Sequence, residues 1–383
     1  MEQSKLTKYF LPAAFLAVGA ACRIALYHVA FPDYEQFFYP WIETLRAYGP
    51  TAISSGFAAY NTPILLLLWL FSLFTPYNLL ALKLLAFVFE VIMALGAMKV
   101  VGHLRPGGYL KYTAGALTLI LPTVVMIGPA WGQVDAIHGA ILVWALYFCL
   151  KDRLHTAWFF AGMAIAVKLP AAFFFPFLLA LSFNRKKARL TGPAFMAGGI
   201  ALLSCPTLFM GDSFSRIVSG IVSGSGNMLG IENIAWWAST LWQWFPGGDY
   251  AAERVAGVVL AAIFAFGIIL YGIRSERFGD EKLLLLAAFC LLVLPFVLPQ
   301  MHNRYYYIGE ICVYLLAFAK PRAAYCVFVT QALTVSTIWV ALAGAPSLHW
   351  SFRLISLGMV FVLAMLGRWL ALHDKNGHVT IDP

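Results

Sequence analysis

The chain has 383 residues, of which 62% are apolar and 11% charged, with a mean hydropathy of +0.81. A water-soluble protein is about half apolar and a quarter charged, so this composition excludes a soluble enzyme, a secreted disulfide domain and a disordered chain, and leaves a polytopic helical membrane protein. The net charge of +9, from 26 basic and 17 acidic residues, fits basic cytoplasmic loops rather than nucleic-acid binding, because the lysines and arginines gather between apolar runs.

In chain order, apolar runs of spanning length fall at 9–30, 78–102, 111–128, 133–150, 190–209, 254–273, 283–299, 303–319, 322–342 and 351–371. Lys5 and Lys8 precede the first run and no small-residue cleavage site follows it, so it reads as a retained span. A further apolar stretch, 156–183, is broken at Lys168-Leu169-Pro170 and reads as two short helices meeting at the outer face. The stretch 61–75 is too short to cross and reads as re-entrant. This arrangement puts Lys5, Lys8, Lys151, Arg153, Arg185, Lys186, Lys187, Arg189, Arg274 and Arg277, with most of the other basic residues, on the cytoplasmic side. The expected fold is all-α: one integral membrane bundle over 1–383, with about twelve spans and both termini cytoplasmic. Two outer segments are long. Residues 31–60 mix Asp33, Glu35 and Glu43 with Tyr34, Phe37, Phe38, Tyr39 and Trp41, and read as short interfacial helices. Residues 211–253 lead to Trp236, Trp237, Trp242 and Trp244, which read as an interfacial tryptophan belt or as a platform that binds a sugar or lipid.

Ionisable groups at membrane depth are costly and are functional candidates by default. On this topology Asp33, Glu35, Asp135, Lys168, His302 and Arg304 all reach the outer face. Carboxylates at that level suit the removal of a proton from an acceptor hydroxyl, and the basic groups suit a departing phosphate. Aromatic rings nearby suit stacking on a sugar, so a lipid-linked phosphosugar fits the set. Glu90 and Glu310 lie deeper in apolar runs, where polar contacts between helices are their expected role. Arg23, near the outer end of the first span, either pairs with an acid or reaches the cavity. The six cysteines are scattered singly and read as buried apolar residues. No G-x-S-x-G, P-loop, H-E-x-x-H or Rossmann fingerprint occurs.

Five elements stand in order along about 270 residues: Pro32-Asp33-Tyr34-Glu35, Tyr60-Asn61-Thr62-Pro63, Trp131-Gly132-Gln133-Val134-Asp135, Lys168-Leu169-Pro170 and Met301-His302-Asn303-Arg304-Tyr305-Tyr306. Together they resemble the GT-C membrane glycosyltransferases that use polyprenyl-phosphate sugars. The closest likeness is to bacterial mannosyltransferases related to the second mannosyltransferase of GPI-anchor synthesis. The resemblance implies inverting transfer of mannose or another hexose or pentose, on the outer face of a bacterial inner membrane. The acceptor would be a glycan, lipid or protein hydroxyl. It implies Asp33 and Asp135 as the catalytic pair, and Lys168, His302 and Arg304 as the donor-phosphate cluster. Glu35, Tyr34, Gln133, Trp131, Tyr305 and Asn233 are the expected substrate contacts. Two positions depart from the family pattern: Asn303 stands where a glutamate is usual, and Asn61-Thr62-Pro63 replaces a Tyr-Pro-Pro run. No cofactor is expected, because three scattered acids do not demand a divalent cation. The alternative is a transporter or flippase of the same lipid-linked sugar; it would need polar residues along a path to the cytoplasm, and the inner halves of the runs are nearly free of them.

Overall fold

Every element of the computed structural model is a helix or a turn; among the described residues, 2–223, 238–245, 250–342 and 349–375, there is no strand. The helices are α1 (Glu2–Leu26), α2 (Tyr39–Tyr48), α3 (Thr62–Ser72), α4 (Asn78–Leu104), α5 (Leu110–Thr118), α6 (Pro122–Val125), α7 (Asp135–Leu150) and α8 (Leu154–Val167). They continue with α9 (Phe175–Arg185), α10 (Gly192–Ser204), α11 (Phe214–Ser223), α12 (Tyr250–Arg274), α13 (Asp280–Val297), α14 (Tyr307–Ala319), α15 (Ala324–Leu342) and α16 (His349–Lys375).

Seven helical segments among the described residues are long and apolar enough to cross a membrane: Tyr9–Leu26, Asn78–Leu104, Leu110–Ala130, Gly192–Met210, Ala251–Arg274, Pro321–Leu342 and Phe352–His373. Each falls on one of the runs read from the sequence. Their outward faces carry large apolar side chains, among them Phe10, Ile24, Phe266, Phe328 and Trp339, a surface that suits lipid and not water. The other expected spans fall on shorter helices, α7, α8, α9, α13 and α14. At about 1.5 Å per residue these run short of a hydrocarbon core of roughly 30 Å. The first three residues of α13, Asp280, Glu281 and Lys282, are charged. Helix α3, with 11 residues, covers only about half that thickness.

The chain divides into two compact units, Met1–Ala172 with Leu190–Ile231, and Phe173–Arg189 with Glu232–Pro383. In the first, α1 packs on α5, α5 on α4, α4 on α7, α7 on α8 and α8 on α10, with α3 also against α4. The α8–α10 contact is close because both helices present glycine. A methyl group on Gly162 would lie 2.0 Å from the Met196 carbonyl oxygen, and one on Gly199 would lie 2.0 Å from that of Phe159. Small residues let membrane helices approach backbone to backbone. The expected interfacial segment 31–60 is built from short helical pieces, a π-turn at Tyr34–Phe38, α2, and a 3-10 turn at Pro50–Ser55. Phe38, Trp41, Ile42, Leu45 and Ile53 sink into one cluster with Ile64, Leu68, Leu82, Val134 and Val167. Arg46 reinforces the clamp by donating to Asn78 Oδ1 at 2.8 Å and to the Thr75 carbonyl at 2.5 Å.

In the second unit α12 lies against α9 and α13, and α13 against α14 and α16. Glu310 accepts hydrogen bonds from Gln331 Nε2, at 3.1 Å, and from Thr334 Oγ1, the interhelical contact its sequence position suggests. At the start of α13, Glu281 Oε1 accepts from Lys320 Nζ at 2.8 Å and lies 2.7 Å from His373 Nε2. Burial pushes the Glu281 carboxyl up, but the Lys320 and His373 hydrogen bonds and charges outweigh it and hold it below its ordinary value.

Two outcomes follow from this packing. Gly199→Leu should force α8 and α10 apart and lower stability by about 1–3 kcal/mol, the usual cost of overpacking, read as a lower melting temperature in detergent. Glu281 contributes stability above the ordinary glutamate pKa of about 4.3, and that contribution disappears as pH falls through its depressed value. Wild type should therefore melt above Glu281→Gln at pH 7, and the two curves should converge on acidification below about pH 4.

Candidate functional site

The site in the first unit is built around the segment Trp131–Asp135. The π-turn Met126–Ala130 hands over to it through a glycine: Gly132 sits at φ +79° and donates its N–H to the Gly128 carbonyl at 2.8 Å, while the Gln133 N–H reaches the Ile127 carbonyl at 2.9 Å. This closure is one residue wider than the common glycine-ended helix stop, as the wider π-turn requires. An L side chain rarely adopts that φ, so glycine is needed here. The turn buries Trp131, Gln133 and Asp135, with Asp135 0% exposed at the first position of α7.

The π-turn itself rests on an ion pair. Arg23 on α1 donates to Glu90 Oε2 on α4 through Nη2 at 2.5 Å and through Nε at 3.1 Å. It also donates to the carbonyls of Gly19 and Leu119. Gly128 makes room for this carboxylate, since a methyl group there would lie 1.8 Å from Glu90 Oε1. Arg23 thus takes the acidic partner that was one of its two sequence readings. Lys83 on α4 donates to the carbonyls of Leu26 and Val29, each at 2.6 Å, where the negative end of α1 favours a cation. That clamp fixes the chain a few residues before Asp33.

Asp33, half-buried, accepts from Gln133 Nε2 at 2.9 Å on its Oδ2. Gln133 Oε1 in turn accepts from Tyr60 OH at 3.3 Å. The Tyr60 ring packs against Trp41 and Phe38, with centroids at 5.3 and 5.6 Å. The ammonium of Lys168 lies 6.0 Å from the Tyr60 ring centroid and 2.5 Å from Asp135 Oδ1. Lys168 is the extended residue ending α8, at φ −155° and ψ 128°. Asn61 Nδ2 donates to the Ala166 carbonyl at 3.0 Å, satisfying one of the acceptors that a helix end leaves over. Asp33, Tyr60, Gln133, Asp135 and Lys168, from four separate stretches of chain, thereby form one connected set. Tyr34, beside Asp33, is buried, and burial followed by the charge of Glu35 raises its phenol to about 12; it remains a neutral hydroxyl at any physiological pH.

No protein-family model matches the chain. Nor is any curated protein detectably similar to it.

Of the residues singled out from the sequence, Asp33, Gln133, Asp135 and Lys168 come together, Tyr34 and Trp131 are buried in the same unit, and Glu35 is exposed. His302, Arg304 and Tyr305 belong to the second unit. There the His302 and Tyr305 rings lie 5.8 Å apart and Arg304 is buried. Asn233, Trp236 and Trp237 lie outside the described residues. Among the described residues no three His, Cys, Asp or Glu side chains stand close enough to share a metal ion.

Three participants had no place among the sequence candidates. Tyr60 was read only as part of a motif. Lys83 was one basic residue among many. The third is an acid–base pair, Asp212 and Arg216, beside Thr62. Thr62 Oγ1 lies 3.4 Å from Asp212 Oδ2, and Arg216 Nε lies 3.7 Å from Asp212 Oδ1. The i, i+4 spacing of an acid and an arginine at the start of an amphipathic helix was the signal available for it.

Lys168→Ala should remove the cation that faces the buried Asp135 carboxylate and destabilise the protein by about 3–5 kcal/mol. The double variant Lys168→Met/Asp135→Leu should recover most of that loss. Unfolding in detergent, followed by tryptophan fluorescence for both variants, measures the difference.

Proposed function

We propose that the chain is an inverting membrane glycosyltransferase of the GT-C type, moving a sugar from a polyprenyl-phosphate donor to an acceptor hydroxyl at the outer face of a bacterial inner membrane. The observation that carries the reading is the connected set Asp33–Gln133–Tyr60–Lys168–Asp135. Gln133 occupies one oxygen of Asp33 and leaves Oδ1 to meet an acceptor. Asp135 Oδ1 holds the Lys168 ammonium in place, at 2.5 Å, within an apolar bundle.

In this mechanism Oδ1 of Asp33 takes the proton of the acceptor hydroxyl as its oxygen attacks the anomeric carbon. The bond from that carbon to the phosphate oxygen breaks on the opposite side, so configuration inverts, and the electron pair leaves with the lipid phosphate. Lys168 supplies positive charge toward the phosphate. The twelve-span topology with cytoplasmic termini belongs to the same proposal. It uses the short helices α7, α8, α9, α13 and α14 as spans alongside the seven long ones.

The test is purified protein in nanodiscs with a panel of synthetic polyprenyl-phosphate sugars, following release of polyprenyl phosphate. One donor should turn over, and Asp33→Asn should slow it by about 10²–10⁴-fold, the range a general base contributes, while donor binding persists. Binding of a donor that never turns over, even with acceptors supplied, would move the flippase reading ahead. The absence of both binding and turnover across the panel would sink the proposal.

A further inference from the structure

In the second unit the span on α12 ends at Arg274 and the span on α16 ends at His373, while α13 opens with Asp280, Glu281 and Lys282. All five residues line one cavity of 840 Å³, a volume inside the range of about 300–1,000 Å³ typical of small-molecule sites. Its other end is apolar. Gly267, Leu270, Tyr271 and Arg274 line it at spacings of three and four residues, which is one face of α12. Over that face the lining passes from apolar to charged within about 10 Å, at roughly 1.5 Å per residue. A methyl group on Gly267 would meet no atom within 4 Å, so this end stands open. Phe266 and Ile273, neighbours on the same helix, are large and exposed, as suits lipid.

The charged mouth is held in shape by the end of α9. Asn184 Nδ2 donates to the carbonyls of Gly272 and Ser275, each at 3.1 Å, and of Glu276 at 3.0 Å. Asn184 Oδ1 accepts from the Phe278 N–H at 2.9 Å, and Arg185 Nη2 donates to the Phe278 carbonyl at 2.6 Å. Lys282 is buried in the wall, its ammonium 4.9 Å from the Tyr271 ring centroid and 5.2 Å from that of Phe278. Glu281 is engaged by Lys320 and His373. Arg274 and Glu276, by contrast, are exposed, and their side chains have no partner among the described residues.

The lining sets Arg274, Arg277 and Lys282 against Glu276, Asp280 and Glu281. Such a wall favours a ligand that carries both signs over one that carries either alone. The positive end of α13 lies at the mouth and favours an anion there, and a guanidinium matches a phosphate in bidentate fashion. A free carboxylate can accept from an ammonium that has N–H groups to give, and a quaternary ammonium has none. We infer that this cavity binds a phospholipid whose headgroup carries a phosphate and a primary ammonium. The phosphate meets Arg274, the ammonium meets Glu276, and the start of an acyl chain lies along Gly267 and Leu270. The inference does not depend on the glycosyltransferase reading. On the twelve-span topology this lipid belongs to the cytoplasmic leaflet.

The experiment is native mass spectrometry of the full chain, delipidated in detergent, with dioleoyl phosphatidylethanolamine, phosphatidylcholine and phosphatidylglycerol as probes. The ethanolamine lipid should bind about fivefold more tightly than either of the others, the upper range for a single exposed ionic contact. Glu276→Gln should erase its advantage over the choline lipid while leaving the choline lipid's own affinity unchanged. Arg274→Ala should weaken the ethanolamine lipid by a similar factor, and Gly267→Leu, which fills the apolar end without altering a charge, should weaken it as well. All three positions are exposed, so the melting temperature of the lipid-free protein should stay at the wild-type value, which separates lost binding from a lost fold. Equal affinity for the ethanolamine and choline lipids, a preference for the glycerol lipid, or a preference indifferent to Arg274→Ala and Glu276→Gln overturns the inference.

Discussion

A lysine ammonium inside an apolar bundle must face a counter-charge, and in the first unit that requirement organises the backbone around it. Lys168 meets Asp135 at 2.5 Å, so the end of α8 and the beginning of α7 have to arrive at the same depth. Helix α8 must therefore stop after 14 residues, well short of the roughly 30 Å of hydrocarbon. Irregular backbone at membrane depth is tolerated only where protein buries it and its polar groups find partners. Asn61 supplies one partner, through the Ala166 carbonyl, and the aromatic cluster of Phe38, Trp41 and Tyr60 supplies the cover. The break, the pair and the loop that roofs it are one construction.

The same rule recurs behind the site. Arg23 and Glu90 neutralise each other between α1 and α4, and Gly128 admits the carboxylate against the π-turn. That turn feeds directly into Trp131-Gly132-Gln133-Val134-Asp135. The wider helical turn Met126–Ala130 leads directly into Gln133 and Asp135, and π-turns are often found at functional sites. Structural ion pairs and site chemistry thus share a scaffold. The deeper pair fixes the turn, and the turn aims the side chains that meet Asp33 and Lys168.

The helical, membrane-embedded character was legible from composition alone, because 11% charged residues leave no soluble alternative. The seven long helices were legible as runs because lipid enforces length and apolarity together. Helices such as α3 and α14 were harder to read, since protein neighbours rather than lipid set their ends, and a run of apolar residues carries no mark of that difference. Within the site, Asp33, Asp135 and Lys168 stood out because charge in an apolar context is rare. Gln133 was found through the Trp-Gly-Gln motif. Tyr60 was overlooked because a tyrosine among many interfacial aromatics is unremarked until its hydroxyl is seen to bond. Asp212 escaped for the same reason: a polar residue near a loop acquires meaning only from what is folded over it.

The Arg23–Glu90 pair also bears on how the protein is made. The two residues are 67 positions apart, and Arg23, in the last turn of α1, leaves the ribosome first. At about 5–20 residues per second, α1 waits roughly 3–13 s for its acidic partner. During that interval its guanidinium must stay up among the lipid headgroups, where a long flexible side chain keeps its charge hydrated. The arrival of α4 ends the wait twice over. Glu90 draws the guanidinium inward, and Lys83, seven residues ahead of it on the same helix, takes the open carbonyls of Leu26 and Val29. The first helix is therefore inserted as a provisional element and becomes permanent only when the fourth reaches the bilayer.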